Sequence, residues 1–323
     1  MSEIRDKIVG LKDYMDSRII GQKDLVKKMI ITLLAEGHAL VEGAPGLAKT
    51  KAIKTLADCI SASFNRIQFT PDLLPSDITG SEIYVSQKGE FEFRKGPIFA
   101  NLVLADEINR APAKVQSALL EAMAERQGSA GGQRYLLPRL FMVMATQNPI
   151  EHEGTYNLPE AQLERFLMYI KIDRPNAADE RKILELVRGE GTLSTPNLRT
   201  GFDKIEIADV EAATREALNT HISRELEEYL VQLIVATRKP EKYDGELAGM
   251  VMFGASPRAT IALDRAAKIN AWLAGRDFVT PEDIHAVIYD ILRHRIILSF
   301  EAQEEGVTSD DIIGRLLNLV PLP

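Results

Sequence analysis

The sequence predicts an α/β fold, in which a five-stranded parallel sheet flanked by helices is followed by a smaller all-helical domain. Up to about residue 170, short apolar runs of strand length alternate with segments of helical periodicity. A glycine-rich loop lies between the first of these runs and the next helical segment. After Asp173-Arg174-Pro175 the strand-like runs largely stop. We therefore expect one domain over residues 1–175 and a second over residues 176–323.

The predicted elements of the first domain alternate along the chain. The strands are short runs rich in apolar residues: His38–Glu42, Phe64–Phe69, Asn101–Ala105, Leu140–Thr146 and Met168–Ile172. The helical segments are Asp24–Ala35, Thr50–Ala62 and Ala113–Arg126. In the second domain, Ser256 and Pro257 predict a helix that runs to Leu273. Thr280 and Pro281, with Asp283 as the acidic partner of a capping box, predict another.

Two insertions interrupt the alternation in the first domain. Residues 70–100 are long for a simple connection. Within them, Glu82–Gln87 and Glu90–Arg94 alternate with period two around a Lys88-Gly89 turn, which predicts a β-hairpin. The glycine-rich stretch 127–134 joins a helix to a strand and predicts a second hairpin.

Composition excludes several classes of protein. The 323 residues are 45% hydrophobic with a net charge of −8, so a predominantly disordered chain is excluded. The apolar runs are too short to span a membrane, and the start lacks the apolar region of a secretory signal. Cys59 is the single cysteine, which suits a reducing compartment. We therefore expect a cytoplasmic protein without membrane insertion, and the negative charge argues against a nucleic-acid partner.

The segment Gly43–Thr50 has the features of a phosphate-binding loop. It reads Gly-Ala-Pro-Gly-Leu-Ala-Lys-Thr, follows a strand and opens a helix. Its glycines would let backbone N–H groups face a phosphate, with Lys49 at the β- and γ-phosphates and the Thr50 hydroxyl on Mg²⁺. Ala48 stands where the usual pattern has its second glycine, and its methyl group is tolerable if this residue is already helical. The alternative is a glycine turn that only caps a helix.

Two adjacent carboxylates, Asp106 and Glu107, end the strand of the third apolar run. Asp106 suits a role in holding Mg²⁺ through water, and Glu107 is placed to polarise an attacking water. Exposed acids at a strand end are the alternative explanation. A kinase or a GTPase would also use the loop and the aspartate, whereas the adjacent glutamate favours ATP hydrolysis.

Three further side chains are candidates for the same site. Asn148 follows the fourth strand and would meet the other two motifs if that strand lies between theirs, although Asn-Pro is also a turn former. Arg165 lies just before the last strand. Arg258 lies in the first turn of a helix, where the macrodipole disfavours a cation. It therefore needs an anion, either a nucleotide phosphate or a nearby carboxylate.

Taken together, these motifs resemble the AAA+ ATPases and in particular their MoxR branch. The resemblance covers nearly the whole chain from Ile20 onwards and is carried by five strings: Gly43–Thr50, Leu104–Pro112, Ala145–Pro149, Leu158–Phe166 and Gly254–Ala259. Ala48 is usual in this branch, and Glu164 replaces an aspartate that is often seen before the arginine. The insertions resemble the helix-2 insert and the pre-sensor-1 hairpin of magnesium-chelatase-like relatives.

The resemblance implies a role for each candidate residue. It assigns Lys49 and Thr50 to Walker A, Asp106 and Glu107 to Walker B, Asn148 to sensor 1, Arg165 to the arginine finger and Arg258 to sensor 2. It makes Arg110 a candidate for a role between subunits. The nucleotide would be surrounded by Ile20 and Gly21 at the adenine and by the loop residues Gly43, Ala44, Pro45, Gly46, Leu47, Ala48, Lys49, Thr50 and Lys51.

The resemblance also implies a Mg²⁺-dependent ATPase that assembles into a homo-oligomeric ring, expected to be a hexamer. ATP would lie between the α/β domain and the helical lid, with Arg165 supplied by the neighbouring subunit. The implied task is chaperone-like remodelling of partner proteins, often ones with von Willebrand factor A (VWA) domains, and sometimes metal or cofactor insertion.

Two alternatives stay open. One is a scaffold whose assembly is controlled by ATP with little turnover. The other is a DNA-associated motor, against which the net acidic charge counts. The 127–134 tip also carries only one basic residue, Arg134.

Overall fold

The structure, a computed structural model, describes residues 2–130, 132–148, 155–191 and 202–323. The elements up to the end of the central sheet are α1 (Glu3–Arg18), α2 (Lys23–Leu34), β1 (Ala39–Glu42), α3 (Lys49–Cys59), β2 (Phe64–Gln68), α4 (Pro75–Thr79), β3 (Gly80–Val85), β4 (Glu90–Lys95), β5 (Leu102–Asp106), α5 (Ala113–Glu125), β6 (Gln127–Ala130), β7 (Gln133–Leu136), β8 (Met142–Gln147), α6 (Glu160–Leu163) and β9 (Met168–Lys171). The elements that follow are α7 (Ala177–Gly191), α8 (Ile207–Leu218), α9 (Arg224–Arg238), α10 (Gly245–Met250), β10 (Val251–Phe253), α11 (Pro257–Leu273), α12 (Pro281–Leu292), β11 (Ile297–Leu298), α13 (Phe300–Glu304) and α14 (Ser309–Leu319).

The central sheet has five parallel strands in the order β2-β5-β8-β1-β9. The predicted fold class and all five predicted strands are confirmed, with ends that differ by one or two residues. Both faces of the sheet are buried, which explains why its inner strands read as continuous apolar runs. On β5, Leu102 and Leu104 belong to one hydrophobic cluster, whereas Val103 and Ala105 belong to the other.

The strand order brings three strand ends together. This is the arrangement in which Asn148 can meet the phosphate loop and the two carboxylates. β8 lies between β1, which leads into the phosphate loop, and β5, which ends at Asp106. Because the strands are parallel, their carboxyl ends meet at one edge of the sheet, where open α/β sheets bind ligands.

Helix α1 is absent from the predicted elements, although its signals are present in the sequence. The Ser2 hydroxyl accepts a hydrogen bond from the Arg5 N–H as an N-cap. Ile8, Leu11 and Met15, spaced three and four residues apart, are fully buried. This helix packs against α2 and α8 and so ties the start of the chain to the helices that follow β9.

Both insertions form the predicted hairpins. β3 pairs with β4, with Tyr84 opposite Phe91, and β6 pairs with β7. The hairpins contact each other through Phe93 and Tyr135, whose rings stack with centroids 3.8 Å apart. Tyr84 and Phe91 lie further towards the tip, with 57% and 68% of their surfaces exposed. The paired hairpins therefore carry aromatic side chains into solvent.

Among the described residues after β9, the elements are helices together with a two-stranded antiparallel ribbon of β10 and β11. Helix α11 packs on α12 and reaches α2, while α12 contacts β9. One hydrophobic cluster runs from α1 through the sheet to α14. A domain boundary near residue 175 stays a prediction. Within the described ranges, no helix is both long and apolar enough to cross a membrane.

Three consecutive side chains after α12 bind the backbone at the edge strand β9. Arg293 Nη1 donates to the Tyr169 carbonyl at 2.8 Å, and Arg295 Nη2 donates to the Phe166 carbonyl at 2.7 Å. His294 Nε2 lies 3.2 Å from the same Phe166 carbonyl. These contacts cover part of the sheet edge and hold the residues that directly follow Arg165.

Candidate functional site

The phosphate loop connects β1 to α3, and its two glycines are needed for different reasons. A Cβ on Gly43 would lie 2.3 Å from Ile172 Cγ1, so the close approach of the neighbouring strand end excludes any side chain. Gly46 has open space around it, but its φ of +85° is a backbone conformation that favours glycine. The loop therefore depends on packing at one glycine and on backbone freedom at the other.

Ala48 is not helical, so it does not meet the condition under which its methyl group would be tolerable without strain. It has φ 57° and ψ 17°, which is the left-handed region, and it immediately precedes α3 as its N-cap. This conformation costs an L-residue about 1–2 kcal/mol and is the reason why glycine is usual there. The methyl group is therefore tolerated at the cost of backbone strain.

Lys49 points back into the loop that it follows. Its Nζ donates a 2.7 Å hydrogen bond to the Gly43 carbonyl. Burial lowers the pKa of Lys49, and the nearby carboxylates of Asp106, Glu107 and Glu42 oppose that shift. The ammonium group thus lies within the field of the acids that end β1 and β5.

Asp106, at the end of β5, is held through both of its carboxylate oxygens. The Thr146 hydroxyl donates to Oδ1 at 2.6 Å. Arg66, on the adjacent strand β2, donates to Oδ2 through Nε at 3.1 Å and Nη2 at 2.6 Å. Thr50 lines the same cavity. A hydroxyl and a carboxylate are oxygen ligands of the kind that Mg²⁺ prefers, so the donor set fits this metal.

Glu107 has a strained backbone, and neighbouring polar groups fix its side chain. Its φ of 56° is in the left-handed region, a cost that proteins tend to carry at functional sites. Its N–H donates to the Thr146 hydroxyl at 2.9 Å. Gln68 Nε2 donates to Oε2 at 2.9 Å, and Arg110 Nη1 lies 3.3 Å from that oxygen. The position of this carboxylate is therefore specified by groups from three elements.

Asn148 completes a cavity of about 390 Å³ at the carboxyl edge of the sheet. The side chains and backbone that line it come from the loop and from the ends of neighbouring strands: Pro45, Gly46, Leu47, Ala48, Lys49, Thr50, Lys51, Arg66, Asp106, Glu107 and Asn148. Asn148 is buried, with 9% of its surface exposed. Pro149 lies outside the described residues.

Ile20 and Gly21 lie near this edge of the sheet, beside the segment that leaves β9. Gln22 Nε2 donates to the Asp173 carbonyl at 2.9 Å. Gly21 has φ +80°, and a Cβ there would lie 3.0 Å from Pro175 Cβ. These residues do not line the cavity described above, and their role at the adenine stays a prediction.

Arg165 and Arg258 lie at the edge of the sheet opposite the phosphate loop. The expected position of ATP between the α/β domain and the lid stays a prediction. Both arginines line a groove with Gly37 and His38, which precede β1, and with Leu167, which precedes β9. β9 spans 4 residues, about 13 Å at ~3.3 Å per residue. All described residues that line the phosphate-loop cavity belong to the α/β part. Neither arginine can therefore reach the phosphate loop of its own chain.

The packing of α11 explains the position of Arg258. The Ser256 hydroxyl, which caps this helix, donates to Glu164 Oε2 at 2.8 Å and so ties the helix start to the residue before Arg165. Among the described residues, no carboxylate lies within ion-pair distance of Arg258, and the buried Arg295 is close enough to repel it. Within the described ranges, the carboxylate alternative for its anion is thus not realised.

Arg66 and Gln68 are site residues that the sequence analysis missed. They are two residues apart on β2 and therefore share a face of that strand. β2 pairs with β5 so that Gln68 lies opposite Asp106. The sequence does show two polar residues, Arg66 and Gln68, near the end of the predicted strand that precedes the Asp106 strand. Interpreting this pair required knowledge that β2 and β5 are neighbours.

Comparison with known proteins gives a consistent result. Residues 38–168 match the ATPase family associated with various cellular activities (AAA), and residues 248–316 match the AAA lid domain. The chain is 46% identical to the chaperone MoxR1 of Mycobacterium tuberculosis over 94% of this chain and 79% of that one. It is 30% identical to protein MoxR of Methylorubrum extorquens, over 100% and 97% of the two chains. A crystal structure of a Cytophaga hutchinsonii protein superposes with a TM-score of 0.90 at 46% identity, covering 99% of this chain and 96% of that one.

Proposed function

Because this chain belongs to the MoxR family of AAA+ ATPases, we propose that it hydrolyses ATP with Mg²⁺ in a homo-oligomeric ring and uses the reaction to remodel partner proteins. The single observation that carries the proposal is the cavity at the carboxyl edge of the sheet. There the phosphate loop, two adjacent carboxylates and a buried amide line one space.

The phosphate loop binds the triphosphate in this proposal. The backbone N–H groups before α3 face the anion, and Lys49 exchanges the Gly43 carbonyl for a phosphate oxygen. Thr50 and Asp106 would hold Mg²⁺, which supplies positive charge where negative charge accumulates during phosphoryl transfer. Ile20 and Gly21 would contact the adenine.

Glu107 is the general base in this proposal, because its carboxylate is held in the cavity beside the phosphate loop. Gln68 and Arg110 contact Oε2, and the carboxylate would polarise a water molecule in the cavity. Asn148 would orient the same water or the γ-phosphate from the neighbouring strand end. The strained backbone of Glu107 fits a residue whose position serves chemistry.

Arg165 and Arg258 would act on the nucleotide of an adjacent subunit. They lie about one strand length from the phosphate loop of their own chain, so a head-to-tail neighbour is needed to bring them to a phosphate. A ring, which we expect to be a hexamer, supplies that arrangement at every interface. An arginine provided in trans can raise the rate of phosphoryl transfer by ~10³–10⁵.

The decisive experiment measures the ATPase rate against protein concentration with Mg²⁺, alongside light scattering with and without ATP. We expect specific activity to rise with assembly. Arg165→Ala should abolish turnover while ATP still binds, whereas Arg224→Ala, which removes an exposed arginine of α9 outside the cavity, should behave as wild type. A rate independent of both concentration and Arg165 would reject the ring mechanism and favour the ATP-controlled scaffold.

The two hairpins are the proposed contact with partner proteins. Tyr84 and Phe91 are exposed neighbours, with ring centroids 5.3 Å apart, beyond the stacked pair that joins the hairpins. Exposed aromatic groups suit binding of apolar polypeptide segments. A VWA-domain protein, including one that awaits a metal or cofactor, is the proposed client class. Binding of such a protein to Glu107→Gln should weaken when Tyr84 and Phe91 are replaced by serine.

A further inference from the structure

Arg66 makes a close charged contact with the proposed magnesium carboxylate, Asp106. It extends from β2, next to β5, and two of its nitrogens donate to Oδ2 of Asp106. Half of the Arg66 side chain is exposed, whereas only 13% of the Asp106 side chain is. A carboxylate buried to this degree needs a cation or hydrogen-bond donors, and Arg66 provides a cation at hydrogen-bonding distance.

The same guanidinium also contacts the residue that holds the proposed general base. Nη2 of Arg66 donates to Gln68 Oε1 at 2.8 Å, and Gln68 Nε2 in turn donates to Glu107 Oε2. Arg66 is therefore connected to both adjacent carboxylates, to Asp106 directly and to Glu107 through one amide. Any movement of Arg66 away from Asp106 also changes the support of Glu107.

We propose that Arg66 is a displaceable counter-ion for Asp106, which gives up this carboxylate when Mg²⁺ binds with the nucleotide. This inference rests on the proposed function, because it requires Asp106 to be the magnesium carboxylate. Two cations that share one carboxylate repel each other, so Arg66 and Mg²⁺ compete for Asp106. Arg66 thus acts as a positioning residue that sets the metal concentration at which the site forms.

The exposure of Arg66 supports displacement over a permanent structural pairing. The side chain is long and half in solvent, so it can leave Asp106 without losing packed contacts. Arg295 shows the opposite arrangement, since it is 4% exposed and donates to backbone carbonyls near β9. A guanidinium held in that way could not yield to a metal.

The test measures binding of a fluorescent ATP analogue to the full chain while free Mg²⁺ is titrated. The same binding is then measured in EDTA, without free Mg²⁺. In Arg66→Gln we expect the Mg²⁺ midpoint to fall at least about threefold, because the competitor is removed. Nucleotide binding in EDTA should weaken by about the same factor, since Asp106 is then unpaired beside the phosphates. Arg66→Lys should shift the midpoint less in the same direction, and Arg224→Gln should leave it unchanged.

Other outcomes overturn the inference in distinguishable ways. A Mg²⁺ midpoint that is unchanged or higher in both Arg66 variants shows that Arg66 does not compete with the metal. A loss of nucleotide affinity that is equal with and without Mg²⁺ shows that Arg66 binds phosphate instead. If Arg66→Gln does not fold, as judged by circular dichroism, the Arg66→Lys shift decides the question. Failure of the wild type to bind nucleotide in a Mg²⁺-dependent way would reject the proposed function itself.

Discussion

The side-chain amide of Gln68 donates a 2.9 Å hydrogen bond to Oε2 of Glu107, joining the end of β2 to the residue after β5. The two residues are 39 positions apart along the chain. This bond holds a carboxylate whose backbone is already in a strained conformation. The position of the proposed base therefore depends on an edge strand of the sheet.

Replacing Glu107 by glutamine should lower kcat at least about 100-fold, because the side chain then lacks the basic oxygen that accepts a proton from water. Nucleotide binding should be retained, since glutamine keeps the shape and can still contact Gln68 and Arg110. Steady-state ATPase assays and equilibrium nucleotide binding measure the two effects. Turnover within tenfold of wild type would exclude Glu107 as the base.

Replacing Gln68 by alanine should lower kcat about tenfold with little change in the KM for ATP, because the carboxylate remains but is less well oriented. Gln68→Glu should lose more, since a second carboxylate repels that of Glu107 and displaces it from its position. Steady-state kinetics with both variants measure the effect. A change confined to KM would instead place Gln68 in nucleotide binding.

Mixing two inactive variants should restore activity if Arg165 acts on a neighbouring subunit. The Lys49→Ala variant retains Arg165 but has a defective phosphate loop. The Arg165→Ala variant retains an intact phosphate loop but lacks the arginine finger. Random assembly of equal amounts gives intact pairs at roughly a quarter of the interfaces. We therefore expect ATPase activity in the mixture that neither variant shows alone. A mixture as inactive as its components would contradict a finger supplied in trans.

Replacing Ala48 by glycine should raise the free energy of unfolding by up to about 1 kcal/mol, because relief of the left-handed strain exceeds the added backbone entropy of glycine. Ala118→Gly, within the regular helix α5, is the matched control and should cost about 1 kcal/mol. Denaturant unfolding of the three proteins measures both changes. Destabilisation by Ala48→Gly equal to that of the control would disprove the strain.

His38 should make stability depend on pH. Burial lowers its pKa to about 4, with the Arg126 charge acting in the same direction. In the unfolded chain this histidine titrates near 6.5, so below that pH the unfolded state binds more protons. Stability is therefore lost as the pH falls from about 6.5 towards 4, and the loss from this group is about 2 kcal/mol at pH 5.

The His38→Gln variant isolates this contribution. Glutamine can still accept a hydrogen bond from the Val143 N–H, which His38 Nδ1 accepts at 3.0 Å, but it does not titrate. Unfolding free energies at pH 8 and pH 5 should differ by about 2 kcal/mol less in the variant than in wild type. Equal pH dependence of the two proteins would mean that the pKa of His38 is the same in the folded and unfolded states.

The local features of this protein could be predicted from the sequence alone. The five strands of the central sheet, both hairpins, the glycine-rich loop and the helix starts at Ser256 and Thr280 follow from periodicity, turn residues and caps. These signals depend on neighbours a few residues away, so they can be read without knowledge of the fold. Helix α1, which carried similar signals, shows that such predictions still leave elements out.

The tertiary structure decided which strand ends meet and which residues are kept apart. Arg66 contacts Asp106 across 40 positions because β2 lies beside β5. Arg165 and Lys49 lie at opposite edges because parallel strands enter at one edge of a sheet and leave at the other. The left-handed conformation of Ala48 likewise depends on how the loop joins β1 to α3. Strand order and packing arise from contacts between distant segments, which local sequence patterns do not encode.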